Sequence, residues 1–199
     1  MNLSATKLAT FLMSLVLSAC ANYEQPNYKV IIDERPLAIR DYPSVMVIET
    51  RVLASRADAA GKAFRRLFEY ISGENEASLK IPMTAPVAQT LANEEVKTSD
   101  YWAIRFFLPN NMLEESIPRP IDNEILVKRL EAQRYATVSF KGSQGDKKIK
   151  ENMFLLKSFL VSQGYEVSGS PVFAFYDPPF IPWFLRDNEI LLPVKKDEE

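Results

Sequence analysis

Residues 70–87, YISGENEASLKIPMTAPV, restrict the fold of this chain more than any other stretch. Pro82 and Pro86 have no backbone N–H to give to a sheet ladder, and each pushes the residue before it, Ile81 or Ala85, out of the helical region. A segment with prolines four apart is not an ordinary central strand. It belongs at a sheet edge, a bulge or a corner. Upstream, Ala60, Phe64, Leu67, Phe68 and Ile71 recur at the spacing of one helical stripe, with Lys62, Arg65, Arg66 and Glu69 on the other faces. Ser55, with Asp58 three residues on, supplies a capping start, and Gly73 a left-handed stop. The stretch therefore reads as a helix that ends at Gly73 and turns through a polar loop into a proline-stiffened extended segment.

The rest of the chain supplies strands. Residues 28–34, 37–42 and 45–53 precede the helix, and 101–108, rich in aromatic and β-branched residues, follows it. A loop over 109–123 leads to a second series: strands at 124–131 and 134–140, a helix near 146–163, and strands at 171–176 and 189–194. In the second helix Ile149, Met153, Leu156 and Leu160 keep helical spacing, and Gly164 closes it. Two strand–strand–helix–strand–strand units suggest an internal duplication, although residue identity between them is not evident. Antiparallel strands with two packed helices make an α+β domain.

At 199 residues, with 47% hydrophobic and 25% charged side chains, the chain has the composition of one globular domain. Lys and Arg total 24 against 26 acidic residues, so no basic excess points to nucleic acid. Histidine is absent, which removes the commonest metal ligand and the usual general base. No Ser-His-Asp or Cys-His set, glycine-rich phosphate loop or metal-ligand cluster is apparent, so the chain reads as a binding protein, not an enzyme.

The N-terminus reads as an address. Residues 1–19 carry Lys7, an apolar run over 8–17 and small residues at Ser18 and Ala19, a pattern too short to span a bilayer. Leu17-Ser18-Ala19-Cys20 resembles the lipobox of bacterial lipoproteins, which implies cleavage before Cys20 and acylation of that residue. Several acyl chains anchor stably where one is marginal. Ala21 after the cysteine implies, by the same resemblance, the outer membrane and a periplasm-facing domain. Residues 20–27 read as a lipidated tether, and 28–199 as the domain. Cys20 is the only cysteine, so no internal disulfide forms.

Three ordered motifs carry a family resemblance over nearly all of residues 28–199: Phe68 to Asn75, Lys80 to Val87, and Arg186-Asp187-Asn188-Glu189-Ile190 preceded by Tyr176-Asp177-Pro178-Pro179. Together they resemble the SOUL family of haem-binding proteins. The resemblance implies two βαββ-like halves forming a distorted antiparallel β-barrel flanked by two α-helices. It also implies a tetrapyrrole, haem or another flat apolar small molecule, in a shallow groove beside the first helix. The corresponding positions are Phe64, Leu67, Phe68 and Ile71. The family's basic positions fall on Gly61 and Glu69 in this chain, which leaves Lys62, Arg65 or Arg66 to serve the propionates, and in the motif Lys80 and Met83 are placed to line the groove. An apolar stripe also serves simply to cover a sheet, so core packing competes for Leu67 and Ile71.

No histidine is available to ligate iron. Tyr70, Tyr176, Met83 and Met112 are the remaining residues of ligand type. The paired prolines read either as a wall of the groove or as a sheet corner. The aromatic run over 178–186, with Trp183 and Phe184, reads as a ligand or membrane contact or as a lid over the barrel end. A different class of function also fits the sequence: a lipoprotein that docks an envelope partner and takes no small ligand.

Overall fold

The computed structural model describes residues 23–92, 101–143, 145–178 and 180–196. Cys20, the signal segment and the first three residues of the expected tether, 20–22, lie outside the described residues. Strands β1 (Lys29–Glu34), β2 (Leu37–Tyr42) and β3 (Val45–Leu53) lead to helix α1 (Arg56–Ile71), then to β4 (Val87–Leu91) and β5 (Tyr101–Phe107). Strands β6 (Ile125–Leu130) and β7 (Gln133–Lys141) lead to α2 (Asp146–Gln163), then to β8 (Tyr165–Val167), β9 (Val172–Phe175) and β10 (Asp187–Lys196). The sheet is antiparallel throughout in the order β1-β2-β7-β10-β9-β4-β5-β3-β6, with β8 pairing the far end of β10. The path does not close, so the barrel is a curled sheet with β1 and β6 at its edges.

This order bears out the duplication. β3-β5-β4 and β7-β10-β9 are matching halves that meet along the β4–β9 pair. The strand preceding each half is exchanged: β2 pairs with β7, and β6 with β3. The exchange interlocks the two units into one sheet. Each helix covers its own half, α1 over β3 and β5, α2 over β7, β8 and β10. The outer face of the central pair β4–β9 lies in the gap between them.

Local chemistry accounts for most boundaries. Ser55 caps α1, its Oγ accepting from the Asp58 N–H at 3.3 Å and donating to Asp58 Oδ2 at 2.7 Å. Gly73 sits at φ +115° and Gly164 at φ +67°, conformations in which a Cβ is strained. The loop after Gly73 is tied by one buried side chain. Asn75 Nδ2 donates to Tyr70 O and Leu79 O, and its Oδ1 accepts from Leu79 N at 3.0 Å. Asn188 does the same work at the start of β10, its Nδ2 donating to Gly142 O and Arg186 O.

The proline segment behaves differently from the expectation. Residues 80–86 run extended beside the N-terminal chain, with Ala85 N donating to Glu24 O at 2.9 Å and a parallel bridge between Glu24 and Thr84. Pro86 then directly precedes β4, which is a central strand between β9 and β5. The prolines thus enter the sheet centre without occupying a ladder position in it. Residues 24–26 are not a free tether either: Pro26 is buried, and Asn110 donates to Glu24 Oε1 and to Gln25 O.

The buried face of α1 is also rotated from the expected stripe. Ala59, Ala63, Leu67, Tyr70 and Ile71 are buried, while Phe64 and Phe68 are exposed. Leu67 and Ile71 belong to the continuous core with Ile48, Ile104 and Phe106.

Candidate functional site

A groove open to solvent lies between α1 and the β4–β9 pair. Its α1 wall is made of Ala60, Phe64 and Phe68, and its other sides of Met83, Val87, Phe175 and Pro178. Phe64 and Phe68 stand one helical turn apart and stack, with ring centroids 5.8 Å apart and planes 12° off parallel. Phe64 also meets the edge of Phe106 at 5.2 Å, which fixes its ring against the core. These two rings remain 38% and 47% exposed. On the floor, Gln89 is buried on β4, and its Oε1 has no hydrogen-bond partner among the described residues. Arg186 reaches the mouth, its Nε donating to Ile181 O at 2.8 Å, and Tyr23 enters from the N-terminal side. The site is a flat aromatic slot with an orphaned acceptor beneath it and a guanidinium at its rim.

The expected site residues divide accordingly. Phe64, Phe68 and Met83 line the groove. Leu67 and Ile71 lie beneath it in the core, because the helix turns its Ala59–Ala63–Leu67 face to the sheet. Lys62 and Arg65 are exposed on α1 and are not among the groove residues. Val87 and Arg186 lie in the family motifs but carry no mark of a groove role, and Gln89 and Phe175 have no sequence signal, since they come together only when β4 and β9 pair. Alternation along β4 and β9 puts Val87, Gln89 and Phe175 on one face, but nothing in the chain marks that face as open.

The residues of iron-ligand type sort just as clearly. Tyr70 is buried and donates to Pro118 O at 2.7 Å, with burial pushing its pKa up to about 12. Met112 packs against the core. The Tyr176 hydroxyl donates to Glu189 Oε2 at 2.6 Å; burial, then the adjacent Glu189 carboxylate, pushes its pKa far up. A phenol held neutral in this way is a poor iron ligand. Of the four, Met83 and Tyr176 line the groove, and the Tyr176 hydroxyl is engaged by Glu189. Among the described residues no group of three His, Cys, Asp or Glu is placed to hold a metal ion.

The inner face of the curled sheet carries the buried charge. Glu49 on β3 is fully buried and receives Arg105 Nε at 2.7 Å and Arg51 Nε at 3.0 Å, with Lys128 Nζ at 3.6 Å. Burial works against its ionisation, but the hydrogen bonds from Arg105 and Arg51 outweigh it, and the carboxyl sits below its ordinary range. Glu189 on β10 takes Ser139 Oγ at 2.7 Å, Arg40 Nη1 at 3.0 Å and the Tyr176 hydroxyl. These partners tie β10 to β2, to β7 and to the residue after β9. A narrow cavity on the same face is lined by Tyr28, Tyr42, Tyr135, Phe107, Arg105 and Leu191. Both glutamates stabilise the concave face of the sheet on the side opposite the groove.

Comparison with known proteins agrees with this architecture. A family model described as SOUL heme-binding protein matches residues 23–193. Heme-binding protein 2 of Homo sapiens is 28% identical over 189 residues, 91% of this chain and 90% of its own length. The same-named protein of Mus musculus is 29% identical over 183 residues, 88% of this chain and 87% of its own. Among solved structures, the EcmrR C-terminal domain aligns with a TM-score of 0.63 at 17% identity, over 85% of this chain and 99% of that domain. A hydrolase from Listeria innocua aligns with a TM-score of 0.57 at 10% identity, over 92% of this chain and 98% of its own. The two structural likenesses carry the fold alone. The family match spans both halves of the sheet, α1 and the groove beside it, and the chain belongs to the SOUL heme-binding protein family.

Proposed function

We propose that this protein binds haem or another tetrapyrrole through the ring itself, in the groove between α1 and the β4–β9 pair. The observation that carries the reading is the stacked Phe64–Phe68 pair, two large rings left exposed on a helix that buries alanines on its core side. Exposed aromatic surface of this kind is stabilised by a flat partner. A porphyrin face on these rings, with a propionate directed to Arg186, uses the groove's apolar walls and its one rim cation. Met83 is the side chain placed to approach an iron atom, and its thioether is of ligating type. Haem would supply redox and diatomic-ligand chemistry there; the side chains themselves bind and orient the ring.

In this reading the protein binds its ligand without transforming it, and the buried acids Glu49 and Glu189 serve the sheet through their paired contacts. We also propose that residues 1–19 are a lipoprotein signal and that Cys20 bears lipid. This would place the domain on the periplasmic face of a membrane, the outer membrane by the rule for Ala21. Among the described residues no helix is long and apolar enough to cross a membrane. The anchor would therefore be the lipid.

Titrating the protein with haemin and with iron-free protoporphyrin IX tests the ring-binding reading. Saturable binding of both in the micromolar range, within about threefold of each other, is expected when no strong iron bond contributes. Absence of Soret change and of fluorescence quenching near stoichiometric protein would refute it. Haemin binding more than tenfold tighter would refute the ring-only account.

A further inference from the structure

The loop that closes one end of the groove is apolar, exposed and rigidly presented. Phe180, Trp183, Phe184 and Leu185 are 73%, 62%, 56% and 51% exposed, and the segment 180–185 contains no charged residue. It is not a loose tip. Ile181 N donates to Pro178 O, Leu185 N to Pro182 O, Arg186 Nε to Ile181 O, and Gly142 N to Arg186 O. Trp183 and Phe184 pack edge to face at 5.7 Å. A loop braced by its own hydrogen bonds while its large apolar side chains face water is stabilised by an apolar phase.

The position of the N-terminal chain says which phase. Tyr23 lines the same groove as Asp177, Pro178 and Arg186, so the chain leaves the domain beside this loop. Cys20 is three residues further, at most about 11 Å of extended chain. Lipid on Cys20 would hold the loop within reach of the bilayer interface, where aromatic and apolar side chains bury by about 5–10 Å. The neighbouring acids do not repel it strongly. Asp187 is paired with Lys141 at 2.7 Å, and Asp177 Oδ2 accepts the Asp187 N–H.

We propose that Phe180, Trp183, Phe184 and Leu185 form a membrane-interface contact that, with lipid on Cys20, turns the mouth of the groove toward the bilayer. This rests on the lipoprotein reading above. The groove then exchanges apolar ligand with the membrane surface and not with bulk solvent. Because residues 180–185 carry no charge, their insertion is driven by apolar burial and does not require anionic lipid.

The two tryptophans make the test direct, since Trp102 is buried at 7% exposure and Trp183 is open. Full-length protein, labelled with palmitate in a host that acylates it, is reconstituted into phosphatidylcholine vesicles containing lipid brominated high on the acyl chain. Trp102→Phe, which leaves Trp183, is expected to lose at least half its emission relative to unbrominated vesicles. Trp183→Phe, which leaves Trp102, is expected to be unquenched. A Trp183→Ser/Phe184→Ser variant should lower ligand exchange with porphyrin-loaded vesicles at least tenfold while haemin binding in solution stays intact. Phe154→Ser, on the distant α2 surface, should change neither. Palmitate label and vesicle flotation without quenching of Trp183 would overturn the contact and leave the anchor standing. An unlabelled, non-floating protein would remove the anchor and the proposal together, while the solution titration with haemin continues to report on the groove alone.

Discussion

Glu49→Gln is expected to destabilise the fold strongly while leaving the groove untouched. The carboxylate is fully buried, and its three cationic partners differ in exposure: Arg105 at 16%, Lys128 at 40% and Arg51 at 43%. The two exposed partners are screened by water, so each is worth at most about 0.5–1 kcal/mol. Arg105 is not screened in this way, and its charge-assisted hydrogen bond contributes about 1.5–3 kcal/mol. The sum gives a loss of about 2.5–5 kcal/mol, or a Tm lower by about 5–20 °C at this size. Glu49→Leu combined with Arg105→Leu should recover most of the loss, because the pair is replaced and not broken.

The pH dependence follows from the depressed folded-state pKa of Glu49, whose ordinary value is 4.5. A carboxyl held below its unfolded value contributes stability above that value and loses it as pH falls through the folded one. The gap between wild type and Glu49→Gln should therefore be full at pH 7 and close steadily below about pH 4.5. Urea denaturation followed by circular dichroism from pH 7 to 3 measures it. A Glu49→Gln protein within about 0.5 kcal/mol of wild type at pH 7, or a gap that stays constant to pH 3, would refute the assignment of Glu49 as the organising charge.

Three further outcomes are expected. Ser55→Ala removes the cap of α1 and should cost about 1 kcal/mol in the same assay. Leu67→Ala, beneath the groove, should cost about 2–5 kcal/mol while the folded protein binds porphyrin within about threefold of wild type. Asn75→Ala strands the Leu79 N–H and the Tyr70 and Leu79 carbonyls, and should cost at least about 2 kcal/mol without contributing to ligand contact.

Much of the fold could be read along the chain because its signals are local. β2, β3 and both helices begin and end where side-chain alternation, the Ser55 cap and the glycines at 73 and 164 place them. The α+β class and the paired halves follow from that order. What the chain does not disclose is long-range. Glu49 and Arg105 are 56 positions apart, and Arg40 and Glu189 are 149 apart, so no spacing announces either ion pair. β4 escapes detection because Pro86 immediately before it reads as a reason against a central strand, whereas the ladder starts at Val87. On α1 the alanines at 59 and 63 carry the core contact, and a stripe counted from the larger side chains turns the helix away from its true face. That rotation separates Phe64 and Phe68 from Leu67 and Ile71. The family motifs are partly structural and partly at the groove: Asn75, Asn188 and Glu189 tie loops and strands, while Phe68, Met83, Val87 and Arg186 from the same motifs line the groove.

The most direct test locates the ligand. Protoporphyrin IX is titrated into wild type, into Phe64→Ser/Phe68→Ser, and into Tyr135→Ala on the wall of the inner cavity. Circular dichroism confirms that each variant is folded. The groove account predicts that the double serine variant loses at least tenfold in affinity and that Tyr135→Ala stays within about threefold of wild type. Unchanged binding in the serine variant, or loss confined to Tyr135→Ala, would contradict it.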